Sequence, residues 1–568
     1  MNVLDKNISE LMDLMDREKI TSEEIVKIYM ENISEKGSDK EVYKSLCEEE
    51  SIKKAKEIDK KRKKGEKPGA LAGIPIAVTE NISTKGILTE AGSKILKDYI
   101  PPFNATIIEK LSAEDAIILG KIKISEFSLE DREYSVRCIL DKGALAVIGP
   151  DREGKNVVKL QPSYGLVSRY GIISATSSLS PLTLIAKEAN DLALVLDTIS
   201  GYDRRDSTSV DLGARRDDDP CDDRHSKHRQ GIPDDFKCGG HRGQSPWSTK
   251  TDQMNSPHEL RGNELQKDSS FVDSPHGLQG NEAGGDDSDT RKTAHTVSKV
   301  KIPKELLNDD LMKDIKELGI YVEESTIETG KYILPAFKIL SSAEFASATA
   351  RYDGIRYGYR SDNYENREEL YKNTRSEGFG KEAKKTIIFG NHVINAEQYD
   401  RYYKKSQKIR SLIKDEIDKI LEDGSILLLP LSDDLDENLK EGYKELGSMT
   451  GYPMLSIPYR STEDEYMELY MLSSSFDEKT LIQLANQIEK GLDSHGKRQN
   501  RYIPDCKRNE IEGEFDSREK QHNRYTPDCK RNKIEKKLDS REKQHNRCIP
   551  DCKQNEAKKE LNSHGGDK

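Results

Sequence analysis

A chain of 568 residues can bury one large core or two ordinary ones, since single cores stop growing near roughly 250–300 residues. Only 34% of its residues are apolar and 34% are charged, against about 45–50% and about 25% in globular domains, so a folded part is diluted by solvated segments. The net charge of −11 argues against a broad nucleic-acid-binding face, which needs clustered Lys and Arg.

No apolar run approaches the roughly 20 residues that span a bilayer. The start, Met1-Asn2-Val3-Leu4-Asp5-Lys6, lacks the apolar stretch of a signal peptide. Eight cysteines, of which only Cys47 and Cys138 lie in globular-looking sequence, do not make a disulfide scaffold. These features predict a cytoplasmic protein with no membrane attachment and no direct nucleic-acid contact.

Residues 1–212 carry periodic apolar positions and short buried runs. Thr21 with Glu24 fits a capping box, followed by Ile25, Val26 and Tyr29 at helical spacing. The runs Leu71–Val78 and Ala116–Gly120 read as strands with a helix over Ala105–Leu111 between them, a β–α–β order. Ala144–Ile148 reads as a further strand, and Tyr164–Tyr170 as the sheet strand on the far side of the gap.

Residues 213–299 have almost nothing apolar to bury and read as a disordered, low-complexity insertion. An 18-residue repeat runs through it, Ser256-Pro257-His258 returning as Ser274-Pro275-His276. Residues 300–491 regain globular patterning, with helices over 304–318, 335–350 and 395–421 and a strand at Ile426–Pro430. From 492 to 568 the chain is a tandem repeat of period 23: Arg501–Cys506 recurs at Arg524–Cys529 and Arg547–Cys552. A solenoid needs an apolar face on every unit, and these units are too poor in apolar residues to supply one. The tail therefore reads as disordered.

Two collinear stretches, 1–212 and 300–490, carry a series of specific motifs. Residues 70–82, Ala-Leu-Ala-Gly-Ile-Pro-Ile-Ala-Val-Thr-Glu-Asn-Ile, resemble L-A-G-I-P-I-A-I-K-D-N-I of the amidase-signature family. Leu119-Gly120-Lys121, Ser125-Glu126-Phe127 and Gln161–Gly171 (compare K-P-T-Y-G-R-V-S-R-Y-G) are similar to later landmarks, and Asp203 with Asp206-Ser207-Thr208 matches D-x-x-D-S-T. In the second half, Ile302–Glu305, Ser342-Ala343-Glu344 and Gly451–Pro458 follow in the same order. Arg351–Arg360 and Thr374–Gly380 resemble in particular the A-type subunits of glutamyl-tRNA(Gln) amidotransferases. The resemblance implies an α/β amidase-signature fold, a mixed central sheet flanked by helices. It also implies a glutamine amidase that supplies ammonia for converting Glu-tRNA(Gln) to Gln-tRNA(Gln). Amidotransferase B-type and C-type subunits would be its partners. The B-type partner uses ATP and Mg²⁺, and no cofactor is implied for this chain.

Serine-based amide hydrolysis needs a nucleophile, a base, a relay and donors for the oxyanion. The family supplies these with a lysine, a serine on a cis peptide and a nucleophilic serine. The lysine position holds Thr79, followed by Glu80 and Asn81, and a threonine hydroxyl is no base near neutral pH. The relay serine belongs in a Gly/Ser-rich loop, but only 33 residues separate Phe127 from Gln161, without one Gly-Ser pair. The region near 128–160 is thus internally deleted, and Leu129–Tyr134 is charged and unlike the lost loop. The nucleophile position falls on Lys155, with Arg152 and Glu153 in the oxyanion loop. No residue is therefore assigned to the triad. What remains of the cleft is expected to be shallow, or refilled by Glu130, Arg132 and Tyr134.

On the substrate side, Arg375 matches an arginine that would hold the α-carboxylate of glutamine, and Glu441 falls where a carboxylate is expected. An ordinary helix-terminal salt bridge is the competing role for Arg375. His392 is the only histidine in the globular part, and a lone helical histidine is more often structural. Cys221, His225, His228, Cys238 and His241 match no strong zinc template, and low-complexity composition accounts for them better. No metal site is expected. The leading expectation is a degenerate, catalytically inactive copy of the A-type polypeptide, retained for its partner surface or decaying. The alternatives are an active amidase with a rebuilt site and a non-enzymatic binding module.

Overall fold

A computed structural model describes residues 2–35, 42–129, 140, 144–150, 156–179, 182–212, 297, 299–461 and 466–494. The expectations for the insertion, including the Cys/His cluster, lie outside these residues apart from its last positions. So do those for the repeat tail beyond Ser494.

The strands are β1 (Tyr43–Leu46), β2 (Pro75–Thr79), β3 (Ile117–Ile122), β4 (Ala146–Gly149), β5 (Val158–Gln161), β6 (Thr183–Ala186), β7 (Lys299–Pro303), β8 (Tyr321–Ser325), β9 (Ile426–Ser432), β10 (Met454–Ser461) and β11 (Tyr466–Leu472). They form one mixed sheet in the order β1-β3-β2-β4-β6-β5-β10-β11-β9-β7-β8. Strands β2, β3 and β4 pair in parallel, as do β7, β8 and β9. The chain's two halves meet at an antiparallel seam between β5 and β10, where Met454 faces Gln161 and Ser456 faces Lys159. All residues of β2, β4, β5 and β6 are buried, as expected of strands covered on both faces.

The helices are α1 (Ile8–Asp16), α2 (Ser22–Glu35), α3 (Glu48–Lys63), α4 (Thr106–Ala113), α5 (Ala189–Ile199), α6 (Asp309–Glu317), α7 (Gly330–Thr349), α8 (Arg367–Gly378), α9 (Lys381–Ile394), α10 (Ala396–Tyr399), α11 (Tyr403–Leu421), α12 (Glu437–Lys444), α13 (Leu446–Thr450) and α14 (Glu478–Ser494). The capping box at α2 forms: Glu24 N–H donates to Thr21 Oγ1 (3.2 Å) and Thr21 N–H to Glu24 Oε2 (2.8 Å). The β–α–β order holds as β2, α4 and the parallel β3.

The strand expected over Leu71–Val78 narrows to β2, the helix expected over 335–350 begins earlier, at Gly330, and three further readings shift. The helix expected over 304–318 breaks because Asn308 accepts the N–H of Leu311 (3.0 Å) and starts α6 afresh. The span 395–421 divides into α10 and α11. Beyond the gap, the strand lies at β5, ahead of the Tyr164–Tyr170 stretch.

One apolar cluster runs through both halves, from Ile8 and Tyr29 through Ile76, Val147 and Leu184 to Leu428, Leu469 and Leu484. Each such aliphatic side chain contributes about 1.5–3 kcal/mol when fully buried. A second cluster gathers Ile95, Phe127, Phe345, Tyr352 and Phe379. No described helix is long and apolar enough to cross a membrane.

Candidate active site

Thr79 ends β2 between β3 and β4 and is fully buried. Its branched side chain suits a strand, and its hydroxyl donates to Asn81 Oδ1 at 2.6 Å. A Cβ at Gly149 on β4 would collide with the Thr79 side chain, so the two strands close around it. Glu80 is buried as well, and Oε1 accepts the N–H of Ile124 (3.0 Å). Burial raises its carboxyl above the ordinary range.

Directly beside β2, on β3, lies a titratable residue that motif reading passed over as a landmark. Lys121 is fully buried and its ammonium donates to the carbonyl of Ile82. Burial pulls its amine down from 10.5 to about 7, opposed by the nearby Cys47 and Glu80. The available signal was its place inside the apolar strand Ile117–Ile122.

Lys155, Arg152, Glu153, Glu130, Arg132 and Tyr134 lie outside the described residues. On either side of the nucleophile position, Gly149 closes β4 and Asn156 is buried with a left-handed φ of 62°.

Arg375 sits on α8, and its Nη1 donates to the carbonyls of Thr349 (2.7 Å) and Tyr352 (3.3 Å). It therefore satisfies the end of α7. The guanidinium lies over the rings of Phe379 (4.9 Å) and Tyr371 (5.1 Å), and burial lowers its pKa. The competing role foreseen for it was a helix-terminal salt bridge; the partners it has here are carbonyls, not a carboxylate. Glu441 on α12 accepts from Lys444 Nζ at 2.7 Å. The next residue, Gly442, faces the start of α7, where a Cβ would lie 3.5 Å from the Leu334 nitrogen. At 1.5 Å per residue, Leu334 and Thr349 are about 22 Å apart along α7. The structure thus does not bring Arg375 and Glu441 together. His392 is exposed on α9 beside the Tyr402 ring (5.8 Å).

Phe127, at the end of the Ser125-Glu126-Phe127 landmark, packs with Phe345 (5.7 Å), Tyr352 (5.8 Å) and Phe379 (6.3 Å). Motif residues of both halves thus meet as a packed aromatic cluster. A cavity of about 30 Å³ adjoins the Gln161–Gly171 string, lined by Arg169, Ser178 and Ser448 among others. That is room for a water or two, not for an amino acid. Arg410 braces its wall, donating to the carbonyl of Met449 (2.9 Å) and to Ser178 Oγ (3.0 Å). Among the described residues no three His, Cys, Asp or Glu side chains are placed to hold a metal ion.

Comparison with known proteins agrees with this architecture. The sequence profile of the Amidase family matches residues 24–132, 155–250 and 294–464. The chain is 32% identical over 534 residues to the second A-type subunit of glutamyl-tRNA(Gln) amidotransferase in Clostridium acetobutylicum, covering 86% of this chain and 100% of that protein. It is 30% identical over 549 residues to the corresponding A-type subunit of Staphylococcus haemolyticus, covering 87% and 99%. Among solved structures, the A-type subunit from Thermotoga maritima superposes with a TM-score of 0.55 at 20% identity, over 86% of this chain and 95% of that one. A peptide amidase from Stenotrophomonas maltophilia gives 0.58 at 18% identity, over 86% and 96%. At these identities the superpositions establish the fold, and the profile and the curated relatives establish the lineage: the chain belongs to the amidase-signature family and is a homologue of the A-type subunits of glutamyl-tRNA(Gln) amidotransferases.

Proposed function

We propose that this homologue of the glutamyl-tRNA(Gln) amidotransferase A-type subunits hydrolyses no glutamine and is kept for its fold and its partner surface. The observation that carries this reading is Thr79, fully buried at the position of the family's lysine, its hydroxyl donating to Asn81 and its methyl group against Gly149. The lack of any Gly-Ser pair between Phe127 and Gln161 supports it from the sequence. Arg375 and Glu441, the two candidates for gripping glutamine, lie toward opposite ends of α7 and have partners of their own. The partners of the reading are B-type and C-type amidotransferase subunits.

One observation favours a rebuilt site instead. Lys121 carries an amine near neutral pH, a property expected of a general base. Against that role, its side chain is fully enclosed and its ammonium donates to a backbone carbonyl. Reconstitution separates the two readings. Mixed with B-type and C-type subunits, the inactive chain supports Gln-tRNA(Gln) formation from ammonium chloride but not from glutamine. Formation from glutamine would establish the rebuilt site. Failure with both donors would remove the partnership from the reading.

A further inference from the structure

The central sheet ends on one side in β8, which pairs in parallel with β7 and has no described strand on its outer side. No residue of β8 is buried, and Tyr321 is 65% exposed. An open edge of this kind presents unpaired backbone N–H and C=O groups that template a further strand. A second copy of β8 is a poor occupant. Pairing about a twofold axis would set Glu323 and Glu324 against their own kind, and like charges placed opposite one another repel.

The course of α14 shows which segment arrives there. Its first residue, Glu478, accepts the N–H of Ser163, just past β5 (2.8 Å). Its last two turns reach Leu318, three residues ahead of β8. Gln487 Nε2 donates to the Leu318 carbonyl (3.3 Å), and a Cβ on Gly491 would overlap the Leu318 side chain. From β5 to β8 is five steps across the sheet, about 24 Å at about 4.8 Å per step. The 17 residues of α14 span about 25 Å. The helix therefore runs across the strands and delivers the chain to the N-terminal end of the edge strand, with the sequence from 495 onward still to follow.

We propose that this continuation adds a twelfth strand to the sheet, Arg498–Tyr502, parallel to β8. Residues 495–497 bridge the corner at up to about 3.3–3.6 Å each. Starting from the same end as β8, the segment runs in its direction and sets Arg498 beside Tyr321 and Arg501 beside Glu324. The exposed Tyr321 ring offers its face to a guanidinium. Glu324 is 59% exposed and meets Lys304 only at 4.0 Å, so its carboxylate can accept from Arg501. Pro504, two residues further on, has no N–H to give to a ladder and ends the strand. So short a tether holds the segment at an effective concentration in the millimolar range, which an unlinked partner would have to exceed.

Hydrogen exchange of the full-length chain, read by mass spectrometry over Tyr321–Ser325, tests the assignment. Arg501→Glu should speed exchange there about fivefold and leave β10 and β11 unchanged. The double change Glu324→Arg with Arg501→Glu should restore the protection, which a merely damaged strand would not regain. Replacing residues 498–502 with alternating Gly and Ser in the full-length chain should speed exchange about tenfold or more. Unchanged exchange in both the Arg501→Glu and the Gly/Ser chains overturns the proposal. So does protection that falls on dilution, which would give the edge to a second copy. Protection that survives both changes but is lost when the chain ends at Tyr502 would give the edge to a later repeat, and overturns it equally.

Discussion

Thr79 fills the end of β2 with a short branched side chain whose donor is already given to Asn81. Returning lysine to this position asks the β2–β4 contact to admit a longer chain against Gly149 and to desolvate an ammonium. Thr79→Lys should therefore lose about 1–3 kcal/mol of stability, seen as a lower Tm, and gain no glutamine hydrolysis. An unchanged Tm would mean that the space is open after all. Lys121 makes the second residue-level prediction. Its amine is held at about 7 when folded, against 10.5 ordinarily. Between those values the unfolded chain binds more protons than the folded one, so stability rises with pH across the window, by at most about 1.4 kcal/mol per pH unit. Lys121→Met should flatten denaturant-derived stability between pH 7.5 and about 10. A slope that survives the substitution would assign it to another group. The identity of Thr79 was legible in the sequence because the surrounding motif is specific. The burial of Lys121 was not, because a long aliphatic stem lets lysine sit in a strand and still reach solvent, and only the packing shows that it does not. Arg375 was legible as a choice between two roles, and its contacts with the carbonyls of Thr349 and Tyr352 could not be read from the sequence, because they join α8 to the end of α7.

Among the elements, β2, α4 and β3 could be read from apolar runs and turn residues, because a β–α–β unit is local in sequence. The seam between β5 and β10 could not, since it joins residues some three hundred positions apart and neither short strand announces its partner. Its chemistry is also non-local. Lys159 on β5 and Glu468 on β11 form a buried pair at 2.7 Å, and Ser456 on the strand between them donates to the same carboxylate oxygen (2.8 Å). Removing one charge leaves the other buried and uncompensated. Glu468→Gln should therefore cost about 3–5 kcal/mol in urea unfolding, while the double change Lys159→Met with Glu468→Leu should restore much of that loss. Equal losses in the single and double variants would show that the pair is not the source. The broken helices at 304–318 and 395–421 have a similar explanation: apolar periodicity runs on where a cap or turn interrupts the backbone, as Asn308 does.

Across the whole molecule, both halves contribute to one sheet and one principal core, with β1–β6 from the first half and β7–β11 from the second. The intervening residues 213–296 supply none of the described strands. Co-expressed as separate chains, 1–212 and 297–494 should assemble and copurify, because the seam and the shared core do not need the connection. Halves that remain apart and insoluble would show that the link is required for folding. The family could be read from motifs spread along both halves, whereas the loss of activity is an inference from what those motifs no longer contain. The most direct measurement is ammonia release from glutamine by the purified full-length chain. The account predicts a rate indistinguishable from a buffer blank; turnover at even a hundredth of an ordinary enzyme's roughly 10 per second would contradict it.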